Sequence, residues 1–131
     1  GGDVVDKELT PLDAFLKVAP LIRDLMIREV AIIACDTEKI LLYTSSGKEP
    51  PRAQPGDLVK PETLMGMAMS RGERVARAVP REIYGIPYAG IGIPVRNNDG
   101  EIIGAISFIE NMDKQDSLMK MADNLSSVRY K

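Results

Sequence analysis

Two arginines and two tyrosines lie close together in the chain, and their side chains could bind an anionic ligand. They are Arg77, Arg81, Tyr84 and Tyr88. Guanidinium groups form charge-assisted hydrogen bonds with carboxylates, and a phenol ring adds an apolar surface that ends in a hydroxyl group. A solvated edge of the protein is the alternative interpretation, because arginine and tyrosine are also common on surfaces. We take the four residues as candidates for a pocket or its rim.

The composition excludes several kinds of catalysis. The 131 residues include no histidine and only one cysteine, Cys35. This excludes histidine-ligated haem and zinc, an intrachain disulfide, and Ser-His-Asp or Cys-His catalysis. No spacing of carboxylates singles out an acid–base pair, and Gly90-Ile91-Gly92 lacks the third glycine of a dinucleotide-binding loop. We therefore expect no enzyme, no catalytic residue, no metal site and no cofactor.

Charge and hydropathy argue against nucleic-acid and membrane partners. Seventeen Lys and Arg residues against 19 Asp and Glu residues give a formal net charge of −2, whereas nucleic-acid binding needs a basic surface. No stretch approaches the ~20 consecutive apolar residues of a membrane span. Cys35 follows the apolar run at residues 31–34, so we expect a buried, inert thiol, which fits a reducing compartment. These features together predict a cytoplasmic location.

The elements that would position the candidates begin with a helix and a hairpin. Thr10 can cap the first helix and Pro11 suits its opening turn, while Pro20 should kink or split that helix. Two apolar runs at residues 30–36 and 40–45 flank a short polar turn, which predicts a β-hairpin.

A loop and a short helix separate this hairpin from three further strands. Residues 46–60 contain three prolines and two glycines, which predicts a loop. A short helix follows, opened by Pro61 and ended by Gly72. The three further strands are predicted at residues 74–79, 88–95 and 101–109. Because hairpins dominate, we expect an α+β fold with a mainly antiparallel sheet covered by helices.

Strand parity divides the side chains of the last two strands between two faces. Across the hairpin turn at residues 97–100, Gly90, Gly92 and Ser107 share one face. Bulky side chains share the other face, namely Ile91, Ile93, Ile106 and Phe108. The small residues leave space that either a closely packed helix or a ligand can fill. We expect a ligand cavity beside the two glycines, roofed by the short helix and the proline-rich loop, with Ser107 as a hydrogen-bonding group.

Longer motifs resemble the sensor region of soluble bacterial methyl-accepting chemotaxis proteins. The motifs are Val-Pro-Arg-Glu-Ile-Tyr-Gly-Ile-Pro-Tyr at residues 79–88, Ile-Pro-Val-Arg at 93–96, Asp-Gly-Glu-Ile-Ile-Gly-Ala-Ile at 99–106 and Pro-Gly-Asp at 55–57. The likeness spans roughly residues 12–127. It implies a PAS-like or Cache-like fold, in which a five-stranded antiparallel sheet of order 2-1-5-4-3 cups a pocket and is flanked by N- and C-terminal helices.

The same resemblance implies a cytoplasmic small-molecule-sensing domain of a methyl-accepting chemotaxis protein. Residues 1–9 would be a tag or disordered lead, residues 10–111 the sensor domain with its N-terminal helix, and residues 112–131 the start of a truncated signalling helix. The partners would be a small ligand, for which an anion fits the arginines, a second copy of the chain, and an output domain or chemotaxis kinase complex. A ligand-free dimerisation or regulatory module of a transcription regulator or kinase is the alternative.

The last helix carries an apolar seam at 3-4-3 spacing, which is typical of a coiled coil. The residues of this seam are Leu118, Met121, Leu125 and Val128. Docking of a terminal helix onto the domain would produce the same spacing, so the pattern leaves both roles open.

Overall fold

The helices and strands follow the predicted order in residues 9–48, 50–84 and 87–113, which are the residues that the computed structural model describes. The bounds are α1 Pro11–Leu25, β1 Val30–Cys35, β2 Ile40–Ser45, α2 Leu64–Arg71, β3 Val75–Val79, α3 Arg81–Tyr84, β4 Tyr88–Arg96 and β5 Ile102–Asn111. Most predicted ends are correct within a residue or two. The short helix α3 is an element that the sequence pattern does not predict. Of the lead predicted at residues 1–9 and the helix predicted at residues 112–131, residues 1–8 and 114–131 lie outside the described residues.

The five strands form one antiparallel sheet in the order β2-β1-β5-β4-β3. This confirms the α+β class and the strand order that the resemblance implies. The hairpin turn between β4 and β5 is held by Asn97, whose side-chain oxygen accepts hydrogen bonds from the backbone N–H groups of Asp99 and Glu101 at 2.9 and 3.0 Å. The resulting register places Gly92 opposite Ser107. The predicted division of side chains between the two faces is therefore confirmed.

A capping box stabilises the N-terminus of helix α1. Thr10 Oγ1 accepts a hydrogen bond from the backbone N–H of Asp13 at 3.1 Å, and the backbone N–H of Thr10 donates to Asp13 Oδ2 at 3.2 Å. The predicted split at Pro20 does not occur, and the helix continues from Pro11 to Leu25. Proline inside a helix costs ~3 kcal/mol. Burial of Leu12 before it, and packing of Ile22 against the sheet after it, hold both halves in place.

Helix α1 crosses one face of the sheet diagonally. Near its start, Leu12 packs with Val95 of β4, and farther along Ala19 packs with Val30 of β1. Near its end, Arg23 Nη1 donates a hydrogen bond to Thr44 Oγ1 of β2 at 2.6 Å. Among the described residues, α1 covers β1 and β2 by this path and does not extend over the first residues of β4 or over the edge strand β3.

Helix α2 and the proline-rich loop cover the other face. Thr63 Oγ1 caps α2 by accepting a hydrogen bond from Gly66 N–H at 3.1 Å, and Gly72 ends the helix with a φ of 66°, a conformation that favours glycine. The buried side chains of this layer are Ile33, Cys35, Ile40, Met65 and Ala105. Backbone hydrogen bonds tie the loop to the edge of β2, for example from Ile40 N–H to Asp57 O at 2.8 Å.

None of the helices in the described part of the chain combines the length and the apolar character that crossing a membrane requires.

The buried position of Cys35 predicts a specific effect of alkaline pH on stability. Burial raises the pKa of this thiol from 9.0 to about 11. The unfolded chain therefore releases the proton at a lower pH than the native protein does, so the free energy of unfolding should fall as the pH rises from about 9 to 11. Urea denaturation at a series of pH values measures this fall.

The control for this prediction is Cys35→Ala, which removes the thiol and leaves the other groups that titrate at alkaline pH. The fall between pH about 9 and 11 should be smaller in the variant than in the unmodified chain. Equal slopes in the two proteins would contradict a buried, proton-retaining thiol.

Candidate ligand-binding site

The space beside Gly90 and Gly92 is filled by α2. A Cβ atom built on Gly92 would lie 2.7 Å from the backbone oxygen of Leu64, and one built on Gly90 would lie 2.6 Å from Leu64 Cδ1. The predicted ligand cavity at this position is therefore wrong, and close packing of a helix on glycine is what the structure shows. The physical reason is that the missing Cβ atoms let the first turn of α2 approach the strand directly.

Ser107 lies on the same face, opposite Gly92 on one side and Ile33 on the other. The residue is 2% exposed, and its hydroxyl group has no hydrogen-bond partner among the described residues. A buried polar group without a partner costs about 1–3 kcal/mol. Ser107 is thus enclosed in the protein interior, and its role as a hydrogen-bonding group for a ligand stays a prediction.

The three candidates whose side chains the structure describes, Arg77, Arg81 and Tyr88, do not form one cluster around the glycines. Arg77 lies exposed on β3, opposite Gly90. Arg81 begins α3 and forms an ion pair with Asp113. Tyr84 ends α3, and its side chain lies outside the described part of the structure. Tyr88 lines the hollow described next.

A hollow of about 70 Å³ lies on the face of the sheet that α2 covers, toward the start of β1. Register explains its lining: Ala31 faces Ser45 on β2 and Ile109 on β5, and Asn111 faces Tyr88 on β4. Alternate residues of four strands therefore point to one side. Ala31, Ile33 and Ile109 supply apolar surface, and the polar lining comes from Glu29, Tyr43, Ser45, Arg52, Tyr88 and Asn111.

Arg52 reaches from the proline-rich loop onto Tyr88. Its Nη2 donates a hydrogen bond to the phenol oxygen at 2.8 Å, and its guanidinium carbon lies 4.5 Å from the centre of the tyrosine ring. A cation over an aromatic face is attracted by about 0.5–2 kcal/mol, depending on how far it is desolvated. This contact joins the loop to the first residue of β4 and forms one wall of the hollow.

A carboxylate lies at the rim of the same hollow. Glu29 lines the hollow, and a Cβ atom on Gly47 would lie 3.3 Å from Glu29 Oε2, which places the carboxylate beside the turn after β2. The hollow thus combines a guanidinium group, a carboxylate and hydroxyl groups above an apolar floor. Such a set can bind a small molecule that carries a carboxylate, an ammonium group, or both.

The volume limits the size of a guest. A hollow of about 70 Å³ has room for roughly five non-hydrogen atoms, since one water-sized group needs about 10–15 Å³. Among the described residues, no group of three or more histidine, cysteine, aspartate or glutamate side chains could hold a metal ion. The small volume and the charged groups of the lining fit a small organic ion.

Sequence reasoning missed most of this lining, including Glu29, Tyr43, Arg52 and Asn111. Strand parity could have found Tyr43, because it lies opposite the core residue Ile33. No periodic signal marks Arg52, since it lies in an irregular loop and meets Tyr88 only through the tertiary fold.

Comparison with known proteins gives a similar sequence and several similar structures. No protein-family profile matches the chain. The chain is 28% identical over 117 residues to the "Putative sensory transducer protein YfmS" of Bacillus subtilis (strain 168), and the match covers 89% of this chain and 41% of that protein. The chain thus spans less than half the length of this relative.

The ligand binding domain of the Pseudomonas aeruginosa PAO1 amino acid chemoreceptor PctC, solved in complex with GABA, has a similar fold. It superposes with a TM-score of 0.54 at 9% identity, over 86% of this chain and 48% of that chain. A GAF domain of A. aeolicus nlh2 in an inactive state superposes with a TM-score of 0.46 at 15% identity, over 96% of this chain and 84% of that chain. The first likeness concerns the fold alone, and the second is too distant to carry an argument.

The predicted resemblance is confirmed by these similarities. The chain resembles a sensory transducer in sequence and a PAS-like or Cache-like sensor domain in fold. The similarity in sequence and the similarity in fold together support the interpretation of the chain as a sensor domain.

The packing of Leu64 on the two glycines predicts different responses to the same small substitution. Gly92→Ala should lower the free energy of unfolding by about 1–3 kcal/mol, and Leu64→Ala should not relieve this loss, because the conflict is with the backbone of Leu64. The loss from Gly90→Ala should shrink in the Leu64→Ala background, because that conflict is with the end of the leucine side chain. Urea denaturation of the single and double variants measures the free energies of unfolding, and their differences give the loss at each glycine with and without the Leu64 side chain.

A Gly92→Ala variant as stable as the unmodified chain would contradict this packing and would restore the cavity predicted from the sequence.

Proposed function

We propose that the chain is the cytoplasmic small-molecule-sensing domain of a methyl-accepting sensory transducer, and that the hollow at Arg52 and Tyr88 is its ligand site. The similarity to a sensory transducer supports the class of protein. The observation that carries the site is the presence of Arg52 and Glu29, which bear opposite charges, on one small hollow with an apolar floor.

The ligand proposed for this site is a short amino acid or another small carboxylate. Arg52 would bind the carboxylate. Arg52 already contacts the hydroxyl group of Tyr88 at 2.8 Å, so this hydroxyl group would also lie within reach of the ligand. Glu29 would bind an ammonium group if the ligand has one. PctC, which shares the fold, was solved in complex with GABA, an amino acid of similar chemistry.

The proposed signal is a shift between two populations of the domain. Arg52 belongs to the loop, whereas Asn111 and Tyr88 belong to the strand ends that lead out of the sheet. Next to them, Met112 N–H donates to Pro87 O at 2.8 Å and Asp113 pairs with Arg81. A ligand that binds one arrangement of these groups more tightly would bias residues 112–131, by no more than its differential affinity for the two arrangements.

Binding without turnover and formation of a homodimer are parts of the same proposal. A helix face that is apolar on its solvent side supports self-association. On α1 this face consists of Val18, Leu21 and Leu25, which are exposed and spaced three and four residues apart. The same face also favours the second candidate function, a ligand-free dimerisation module of a regulator or kinase.

Titration calorimetry with three small ligands tests the proposal and separates the roles of the two charges. Glycine carries both ionic groups, propionate only the carboxylate, and ethylamine only the ammonium group. Arg52→Gln should weaken binding of glycine and propionate by roughly 10-fold or more, because a hydrogen bond to a charged group contributes about 1.5–3 kcal/mol. Glu29→Gln should weaken binding of glycine and leave binding of propionate unchanged.

The matched control is Arg74→Gln, which removes an exposed arginine that is distant in sequence from the hollow-lining loop. Longer amino acids such as GABA extend the panel. A ligand that binds equally well to Arg52→Gln and to the unmodified chain would place the site elsewhere. A domain that dimerises but binds no member of the panel would favour the ligand-free module.

A further inference from the structure

Four residues form a rectangle on the face of the sheet that α2 covers, where β1 pairs with β5. Ala31 lies opposite Ile109, and Ile33 lies opposite Ser107. Ala31, Ile33 and Ile109 line the hollow that Arg52 and Tyr88 close on one side. The hollow therefore reaches three corners of this rectangle, and Ser107 occupies the fourth.

Ser107 is adjacent to both isoleucines of the lining. It pairs with Ile33 across the strands, and along β5 it lies two residues from Ile109, which is about 7 Å at 3.3 Å per residue. The residue is 2% exposed, and its hydroxyl group has no hydrogen-bond partner among the described residues. Buried hydroxyl groups nearly always have a partner. A guest that reached this corner would find a polar group able both to donate and to accept.

Ile109 closes this corner on the β5 side. Its Cγ1 lies 3.5 Å from the position of a Cβ atom built on Gly90, and the same position is 2.6 Å from Leu64 Cδ1. Ile109 also packs against the core cluster that contains Ile33 and Met65. The isoleucine thus lies between the hollow and the first turn of α2, and its side chain limits how far a guest can extend along β5.

We infer that Ile109 sets the length of the ligand, and that the Ser107 hydroxyl beside it is a subsite that opens when this side chain is shortened. The hollow of about 70 Å³ has room for roughly five non-hydrogen atoms, which glycine fills. β-Alanine and GABA are longer by one and by two methylene groups. A single methylene group changes affinity for an apolar pocket by roughly 10-fold or more. This limit rests on the ligand site proposed above and names the chain length that the site selects.

Urea denaturation of the full 131-residue chain tests the position of Ser107 without any ligand. Ser107→Ala removes an enclosed hydroxyl group that lacks a partner among the described residues, so it should raise the midpoint of denaturation. In an Ile109→Ala background the hydroxyl group would face the enlarged hollow and its water, so this rise should be lost. Ile109→Val, which shortens the side chain less, should reduce the rise and serves if the alanine variant does not fold.

The matched control background is Ile91→Ala, because Ile91 lies on β4 and on the opposite face of the sheet from Gly90 and Gly92. The rise from Ser107→Ala should persist there. An equal rise in the Ile109→Ala and Ile91→Ala backgrounds would overturn the inference, since Ile109 would then not separate Ser107 from the hollow. A fall in the midpoint when Ser107→Ala is made in the unmodified chain would also overturn it, because the hydroxyl group would then have a partner.

Titration calorimetry with glycine, β-alanine and GABA tests the length limit. The unmodified chain should bind glycine at least roughly 10-fold more tightly than GABA, with β-alanine between them. Ile109→Ala should remove or reverse this preference, and Ile91→Ala should leave it unchanged. Adding Ser107→Ala to Ile109→Ala should weaken GABA binding by roughly 10-fold, because a hydrogen bond to a charged group is lost, and should leave glycine binding unchanged.

Failure of the length limit and failure of the proposed ligand site give different results. If GABA binds as tightly as glycine and Arg52→Gln weakens both, the length limit is overturned and the site remains. If none of the three amino acids binds, the proposed function is contradicted, and the denaturation experiment still decides whether Ile109 separates Ser107 from the hollow.

Discussion

The contact of Leu64 with Gly90 and Gly92 determines where this domain can and cannot hold a ligand. Two glycines on one strand remove the Cβ atoms that normally keep a helix away from a sheet, and the first turn of α2 occupies that space. With this turn in place, the space beside the small residues is closed, and the Ser107 hydroxyl is enclosed without a hydrogen-bond partner among the described residues. A hollow remains on this face toward the start of β1, where the loop between β2 and α2 forms one wall.

The two faces of β4 and β5 line different spaces. The face under α2 ends in Tyr88, Ile109 and Asn111, which line the hollow. The α1 face carries Ala89 and Glu110 at the same end of these strands, and both line an apolar trough on that face. Adjacent residues of the two strands thus line the candidate ligand site on one face and this trough on the other.

The sequence allowed much of the fold to be predicted, because the determining signals are local. Thr10 and Asp13, Gly72, and the turn from Asn97 to Gly100 form short-range hydrogen bonds or need special backbone angles, so residue type alone marks them. Alternation along β4 and β5 assigned side chains to faces correctly. The strand order came from a family resemblance. The split that Pro20 could have caused does not occur, because packing on the sheet holds both halves of α1.

The site was predictable only in part, because its contacts are long-range. Tyr88 was a candidate from its position at the start of a strand, but its partner Arg52 is 36 residues away in an irregular loop. By itself, the sequence determined the elements, the two faces and the small residues of β4, since these depend on neighbours along the chain. Only the tertiary structure decided that a helix covers the glycines and that a loop arginine completes the hollow. Those outcomes depend on how separate elements pack, which no local pattern encodes.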